Sequence, residues 1–273
     1  MLIRTTCIAL LSTLLIACST APMPLASPTS LTPPTPSALA IKQFAPTGKL
    51  RAAINFGNPI LANQSASGQA TGVSVDLATE LARRLGLPLE LVTFNAAGKV
   101  VDAVKAGQID IAFVAIDPVR GVDMDYSKAY VVIEGAYMVR NDSPIRSNAD
   151  VDKTGTRVVV GLGSAYDLFL TREIKQASLV RAPTSGAVTD VFMAQKLDVA
   201  AGVKQQMQMD AQRVPGLRLL DGRFMVINQA MGMPKGRDDA VAYLRTYVED
   251  LKTSGFVAKA LARHKIEGAA VAP

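Results

Sequence analysis

The sequence predicts an α/β protein of two lobes joined by two crossing segments. Short β-rich runs alternate with amphipathic stretches of helical spacing from Leu50 onward. The same alternation starts afresh at Arg157, and two apolar runs without internal turn signals, Gly135 to Asn141 and Phe224 to Met233, flank the second pass. Strands alternating with helices imply parallel-rich sheets covered on both faces.

The first element is not part of either lobe. Arg4 precedes an apolar run from Cys7 to Ala17, shorter than the ~20 residues a spanning helix needs and suited to the core of an export signal. The run ends in Leu15-Ile16-Ala17-Cys18, which resembles the lipobox of bacterial lipoproteins. The resemblance implies cleavage before Cys18 and a diacylglycerol thioether on its sulfur, which would place the protein in the periplasm as a membrane-anchored lipoprotein. Residues 1–17 are therefore expected as a signal peptide and 18–45 as a tether, because that stretch is rich in Pro, Ser, Thr and Ala and almost uncharged.

Removing the leader also removes Cys7, so the folded part is expected to hold no disulfide and no reactive thiolate. The one histidine, His264, has no cysteine or carboxylate cluster at ligand spacing, which argues against a metal site, and no cofactor is implied. The net charge of +6 is mildly basic and falls by one on maturation. No basic stripe interleaved with aromatics is present, and Trp is absent, which gives nucleic-acid binding no support.

Within the first lobe, Leu50 to Ile54 reads as a strand. Val75, Ala78, Leu81, Ala82 and Leu85 then recur at helical spacing, and Gly86 with Pro88 ends that helix. Leu89 to Phe94 follows as a strand, Lys99 to Lys105 as a short helix and Ile109 to Ile116 as a buried strand. In the second lobe Arg157 to Val160 is a strand, about Ala165 to Gln176 a helix, Ser178 to Arg181 a strand, Ala187 to Gln195 a helix and Asp198 to Ala201 a strand. A final helix over Asp238 to Lys252 carries Val241, Leu244, Val248 and Leu251 on one face, and a shorter one follows Gly255. The expected boundaries put 46–138 with 231–273 in lobe 1 and 139–230 in lobe 2.

Several segments occur in a familiar order. They are Gly48-Lys49-Leu50-Arg51, Thr71-Gly72-Val73-Ser74-Val75-Asp76-Leu77-Ala78, Ala106-Gly107-Gln108-Ile109-Asp110, Pro118-Val119-Arg120 and Asp125-Tyr126-Ser127-Lys128-Ala129-Tyr130. In these the chain resembles the family 3 extracellular solute-binding proteins, the amino-acid-type receptors of bacterial ABC importers, over nearly everything after the tether. The resemblance implies the type II periplasmic-binding-protein clamshell with a two-segment hinge, a ligand in the cleft, ABC permease subunits as partners and a monomer.

Arg120 is the leading site candidate, since it follows a strand end and a helix-breaking Asp117-Pro118. The resemblance implies that it forks onto a ligand carboxylate, a task its fixed parallel donors suit. Gly161-Leu162-Gly163-Ser164-Ala165 opens the second lobe's first helix; the Ser164 hydroxyl and the amides of Ser164 and Ala165 would attract an anion there, and Ser164 also fits a helix N-cap. Asn55, Phe56, Asn58 and Ala115 are candidates for the first-lobe wall.

The chain also departs from the family's pattern. Asn58-Pro59-Ile60-Leu61 stands where an aromatic-Pro-Pro-aromatic stretch is usual, and Ala112-Phe113-Val114-Ala115 lacks a ligand-binding hydroxyl. The acid that commonly receives a ligand ammonium falls at Val203, with Lys204 next, which leaves Glu134 as the candidate replacement. Lys128 would add to a positive cleft. The expected function is capture of a small anionic or zwitterionic solute, without catalysis. The alternatives are a dehydratase-like enzyme, for which Glu134 and Glu173 are the available acids, and a ligand-sensing lipoprotein without a transporter.

Overall fold

The computed structural model describes residues 35–273. The leader, Cys18 and the tether as far as residue 34 lie outside the described residues. The remainder of the expected tether is different: helix α1 (Ala38–Phe44) is capped by Ser37, whose Oγ accepts from the Ala40 amide at 3.0 Å. Its Phe44 is fully buried and meets Tyr243 edge-on at 5.9 Å. Folded chain therefore begins at residue 38 rather than 46, because a short apolar helix after the Pro-rich stretch packs against Tyr243 of the helix over Asp238–Thr253.

Strand β1 (Leu50–Asn55) follows, then the short ribbon β2 (Asn63–Gln64) and β3 (Ala70–Thr71), helix α2 (Val73–Leu85), β4 (Leu89–Phe94), α3 (Ala97–Lys105) and β5 (Ile111–Ala115). The 17-residue strand β6 (Met124–Arg140) leads to β7 (Arg157–Gly161), α4 (Ala165–Glu173), β8 (Ser178–Ala182), α5 (Val188–Ala194), β9 (Val199–Val203) and α6 (Lys204–Arg213). The chain closes with β10 (Leu217–Leu219), β11 (Met225–Pro234), α7 (Asp238–Thr253), α8 (Phe256–Arg263) and β12 (Ala270–Val271).

The main strands run β4-β1-β5-β11-β6-β9-β7-β8, with β10 and β12 also paired to β6. Parallel pairs β1–β4, β1–β5, β7–β8 and β7–β9 make the two ends, and the antiparallel β6 and β11 join them. Both faces of each sheet are covered, so alternate residues enter different cores. Ala52 and Ile54 pack with Leu77, Leu81 and Tyr247, whereas Ala53 packs with Val100 and Val104. In the other lobe Val158 and Val160 join Tyr137 and Leu170, and Val159 joins Met138 and Phe192.

The crossing strands change partners at Gly135, which stands opposite Met225 of β11 and opposite Val203 of β9. A Cβ there would lie 2.7 Å from the Met225 side chain and 2.8 Å from that of Phe224, so any larger residue would displace one of them. Gln229 and Ala230 pair with β5 of lobe 1. Pairing therefore passes between lobes a few residues earlier than the expected boundaries at 138/139 and 230/231.

Lobe 1 is pinned by a buried ion cluster. Asp110 is fully buried and accepts from Arg51 Nε at 2.8 Å, Arg51 Nη2 at 2.9 Å and Arg237 Nη1 at 3.0 Å. Burial alone would raise its pKa; the two guanidinium groups overcome that and hold it below the usual value. Arg237 also donates to the Gln43 carbonyl at 3.0 Å, tying α1 to the same cluster. If α1 belongs to the folded lobe, Phe44→Ala lowers stability by about 3–5 kcal/mol in chemical denaturation. A loss below ~1 kcal/mol, the size of an ordinary surface change, would show that the helix is not part of the core.

Candidate functional site

The site forms where strand ends of the two lobes face each other. After β5, Asp117 Oδ1 accepts from the Val119 amide at 2.8 Å and bends the chain into a single 3-10 turn that begins at Arg120. The turn brings the guanidinium back to the strand, where Nη1 donates to the Ala115 carbonyl at 3.0 Å. Nη2 donates across the cleft to the Gly163 carbonyl at 2.9 Å, and Nε is buried without a partner. Arg120 is only 3% exposed, and burial pushes its pKa down, opposed by the nearby Asp117. It remains cationic near neutrality.

On the opposite lobe, Gly163 takes a left-handed φ of 69° between β7 and α4. Ser164 Oγ accepts from the Asp167 amide at 3.0 Å, and Asp167 Oδ2 accepts from the Gly163 amide at 2.8 Å. This reciprocal pair fixes the helix start. The Ser164 amide donates to the Gly161 carbonyl at 3.0 Å, so it is not the free donor that was expected. The amides of Ala165 and Tyr166, at the first two helical positions, have no acceptor within the helix.

β11 sets Gln229 opposite Ala115; its side chain is 7% exposed and its Oε1 has no partner. Asn58, in the turn after β1, is 9% exposed and leaves its Oδ1 equally unpartnered. With Asn55, Ala115, Arg120, Ser164 and Ala165 they line a cavity with ≈ 350 Å³ of space between the atoms. Of this, ≈ 30 Å³ is open to the centre of a water-sized sphere, room for about two waters. The lobes are thus closed on each other. Arg172 Nη2 meets Asp117 Oδ2 at 2.9 Å at the rim. Gly163 faces Gly98 of α3, and a Cβ on Gly163 would lie 2.9 Å from the Gly98 Cα.

Residues 50–265 match the family model described as bacterial extracellular solute-binding proteins, family 3. The chain belongs to that family. No curated protein sequence matches it. Among solved structures, the solute receptor for L-cysteine of Neisseria gonorrhoeae is similar with a TM-score of 0.73 at 19% identity, over 84% of this chain and 95% of that one. A mutant of ArgBP from T. maritima gives 0.72 at 21% identity, over 84% and 100%. An ancestral amino acid-binding protein described as a precursor of cyclohexadienyl dehydratase gives 0.70 at 20%, over 83% and 99%. At such identities these neighbours establish the fold, the two-lobed type II periplasmic-binding-protein fold expected from the sequence.

In this family 3 solute-binding protein, the expected candidates Asn55, Asn58, Ala115, Arg120, Ser164 and Ala165 come to one cavity. Their roles differ in detail. Asn55 Oδ1 is occupied by the Gly57 amide at 2.9 Å, and Ala115 contributes the carbonyl that steadies Arg120. Glu134 requires correction: it does not line the cavity, and its carboxylate accepts from Lys204 Nζ at 2.9 Å and Arg223 Nη1 at 2.7 Å. Those two cations hold its pKa below the usual value. Lys128 and Glu173 are exposed and stand outside the lining, whereas Val203, where an acid was sought, is in it. Gln229, Tyr166 and Ser185 also line the cavity without having been singled out; the polar pair Asn228-Gln229 inside an apolar strand was the available signal.

Gly163→Ala places a Cβ into Gly98 and strains a left-handed position, a backbone cost of order 1–3 kcal/mol. The variant is expected to keep its far-UV spectrum and to show a larger radius of gyration than the parent in small-angle X-ray scattering. An unchanged radius would mean that this glycine pair does not set the closed seam.

Proposed function

We propose that the chain is the substrate-binding lipoprotein of an ABC importer and that it captures a small carboxylate-bearing solute between its lobes. The observation that carries this reading is Arg120: a buried guanidinium in the cleft, joined to both lobes, with one donor left without a partner. An arginine fork matches the two oxygens of a carboxylate. A carboxylate arriving in the open cleft takes the donors that the Gly163 carbonyl otherwise holds, and the Ala165 and Tyr166 amides at the start of α4 meet it from the opposite lobe. Closure is then favoured by the ligand's better contacts in the closed form. The crossing strands β6 and β11, which change partners at Gly135, are the hinge in this account.

Binding rather than catalysis is supported by the lining. No carboxylic acid or imidazole lines the cavity among the described residues; of the usual general acid–base side chains the lining holds Tyr166, whose pKa burial pushes further up. His264 lies elsewhere, with Nε2 at 2.9 Å from Asp76 Oδ2 between α8 and α2. No described helix is long and apolar enough to cross a membrane. The membrane anchor in this reading is lipid on Cys18.

Arg120→Ala removes the charge partner of a buried carboxylate, a loss of about 2–5 kcal/mol of binding free energy by analogy with other buried pairs. Calorimetric titration with small carboxylic acids is expected to show that loss, while Lys128→Ala binds as the parent does. Normal acid binding by Arg120→Ala would overturn the reading, and conversion of a bound acid to a product would replace capture with catalysis. For the anchor, Cys18→Ser is expected to abolish incorporation of labelled palmitate and to release the protein from the membrane fraction. Retention of the label would rule out Cys18 as the acylated residue.

A further inference from the structure

The charges around the cavity narrow the class of solute. Arg120 is the single charged side chain in the lining among the described residues. Each acid close to the site is already committed. Asp117 accepts from the Val119 amide and from Arg172, at 2.8 and 2.9 Å. Asp167 accepts from the Gly163 amide and from Arg181, at 2.8 and 3.0 Å. Glu134 is held by Lys204 and Arg223 outside the cavity. The lobe 2 position Val203 presents an apolar side chain to the same space.

The remaining uncompensated groups are neutral amides. Gln229 Oε1 and Asn58 Oδ1 are both buried and both lack partners. The two unpartnered atoms are acceptors, which a hydroxyl satisfies as they stand; a carbonyl is met instead by the NH2 of the same amide turned over. A carboxamide does not supply the negative charge that a buried ammonium requires. A monoanion brings the closed cavity to zero net charge with Arg120. A zwitterion leaves the closed cavity with one net positive charge, its ammonium standing beside Arg120 without a carboxylate of the protein to meet it.

We infer that the solute is a small monocarboxylate whose other polar groups are uncharged, a 2-hydroxy or 2-oxo acid rather than a 2-amino acid. This deepens the proposed carboxylate capture and rests on it. The carboxylate lies on Arg120, and the 2-oxygen is met by Gln229 and Asn58.

The test is calorimetric titration of the full chain with three matched series: lactate, pyruvate and alanine; the hydroxy, oxo and amino acids with the valine side chain; and those with the phenylalanine side chain. Within a series the side chain and carboxylate are constant, so only the 2-substituent differs. The hydroxy or oxo member is expected to bind at least about tenfold more tightly than the amino member, the size of one unpaired buried polar group. An amino member binding as tightly or more tightly, with Arg120→Ala abolishing it, would overturn the solute class and leave carboxylate capture standing. No binding by any acid of the three series would overturn both. Val203→Asp supplies a carboxylate to the lining and is expected to shift the amino-to-hydroxy affinity ratio toward the amino acid by at least about tenfold; an unshifted ratio in a variant with parental thermal stability would count against the inference.

Discussion

Arg120 carries a positive charge almost completely out of water, and its hydrogen-bond partners are two carbonyl oxygens, one on each lobe, while the nearby Asp117 carboxylate is bonded elsewhere. Burying a cation on dipoles alone is costly, because carbonyls supply only partial charge. Much of the surrounding structure serves that side chain. The Asp117 turn aims it, the β5 end receives it and the left-handed Gly163 brings the opposite lobe's backbone close enough to accept from it. The unpartnered Nε keeps a directional donor aimed for a stronger acceptor. A carboxylate is such an acceptor, which is the basis for proposing the arginine as a ligand anchor as well as a closing contact.

The closing contact would have little effect if the lobes could not move as units. Their cores are separate: one is built around β1, β5, α2 and α7, the other around β7, β9, α4 and α5. What passes between them is the pair β6 and β11, whose backbone hydrogen bonds continue through the changeover at Gly135, with Met225 and Val203 packing against the cores of both lobes there. A two-stranded connection bends more readily than a packed core slides, which is why the proposed closure assigns the displacement to it.

Much of this was legible in the chain because local patterns and tertiary demands agree. Leu89–Phe94 appears as the strand it reads as, and the helix ended by Gly86 stops there with glycine in the left-handed region. Where they disagree, the sequence was opaque. Helix α6 buries only Met207 and Asp210, so it shows no apolar stripe, and the first half of β6 contains Asp125, Ser127 and Lys128, which interrupt the apolar pattern that marks its second half. Arg120 and Ser164 could be found because each follows a strand end, a position defined along the chain. Glu134 was expected in the site and is not there, since whether an acid is free depends on Lys204 and Arg223, which come from distant sequence. Gln229 was hidden inside a strand for the same reason: its importance lies in standing opposite Ala115.

The family relationship accounts for the scaffold, and the composition of the cavity wall gives this member its individuality. The central claim is that a ligand carboxylate takes over Arg120 from the opposite lobe's backbone. A crystal structure of the chain with a bound 2-hydroxy acid tests that claim most directly. The predicted result is a carboxylate accepting from Arg120 Nε and Nη2, with the Gly163 carbonyl displaced from the guanidinium. A complex in which Arg120 keeps its bond to Gly163 while the acid binds elsewhere would contradict it.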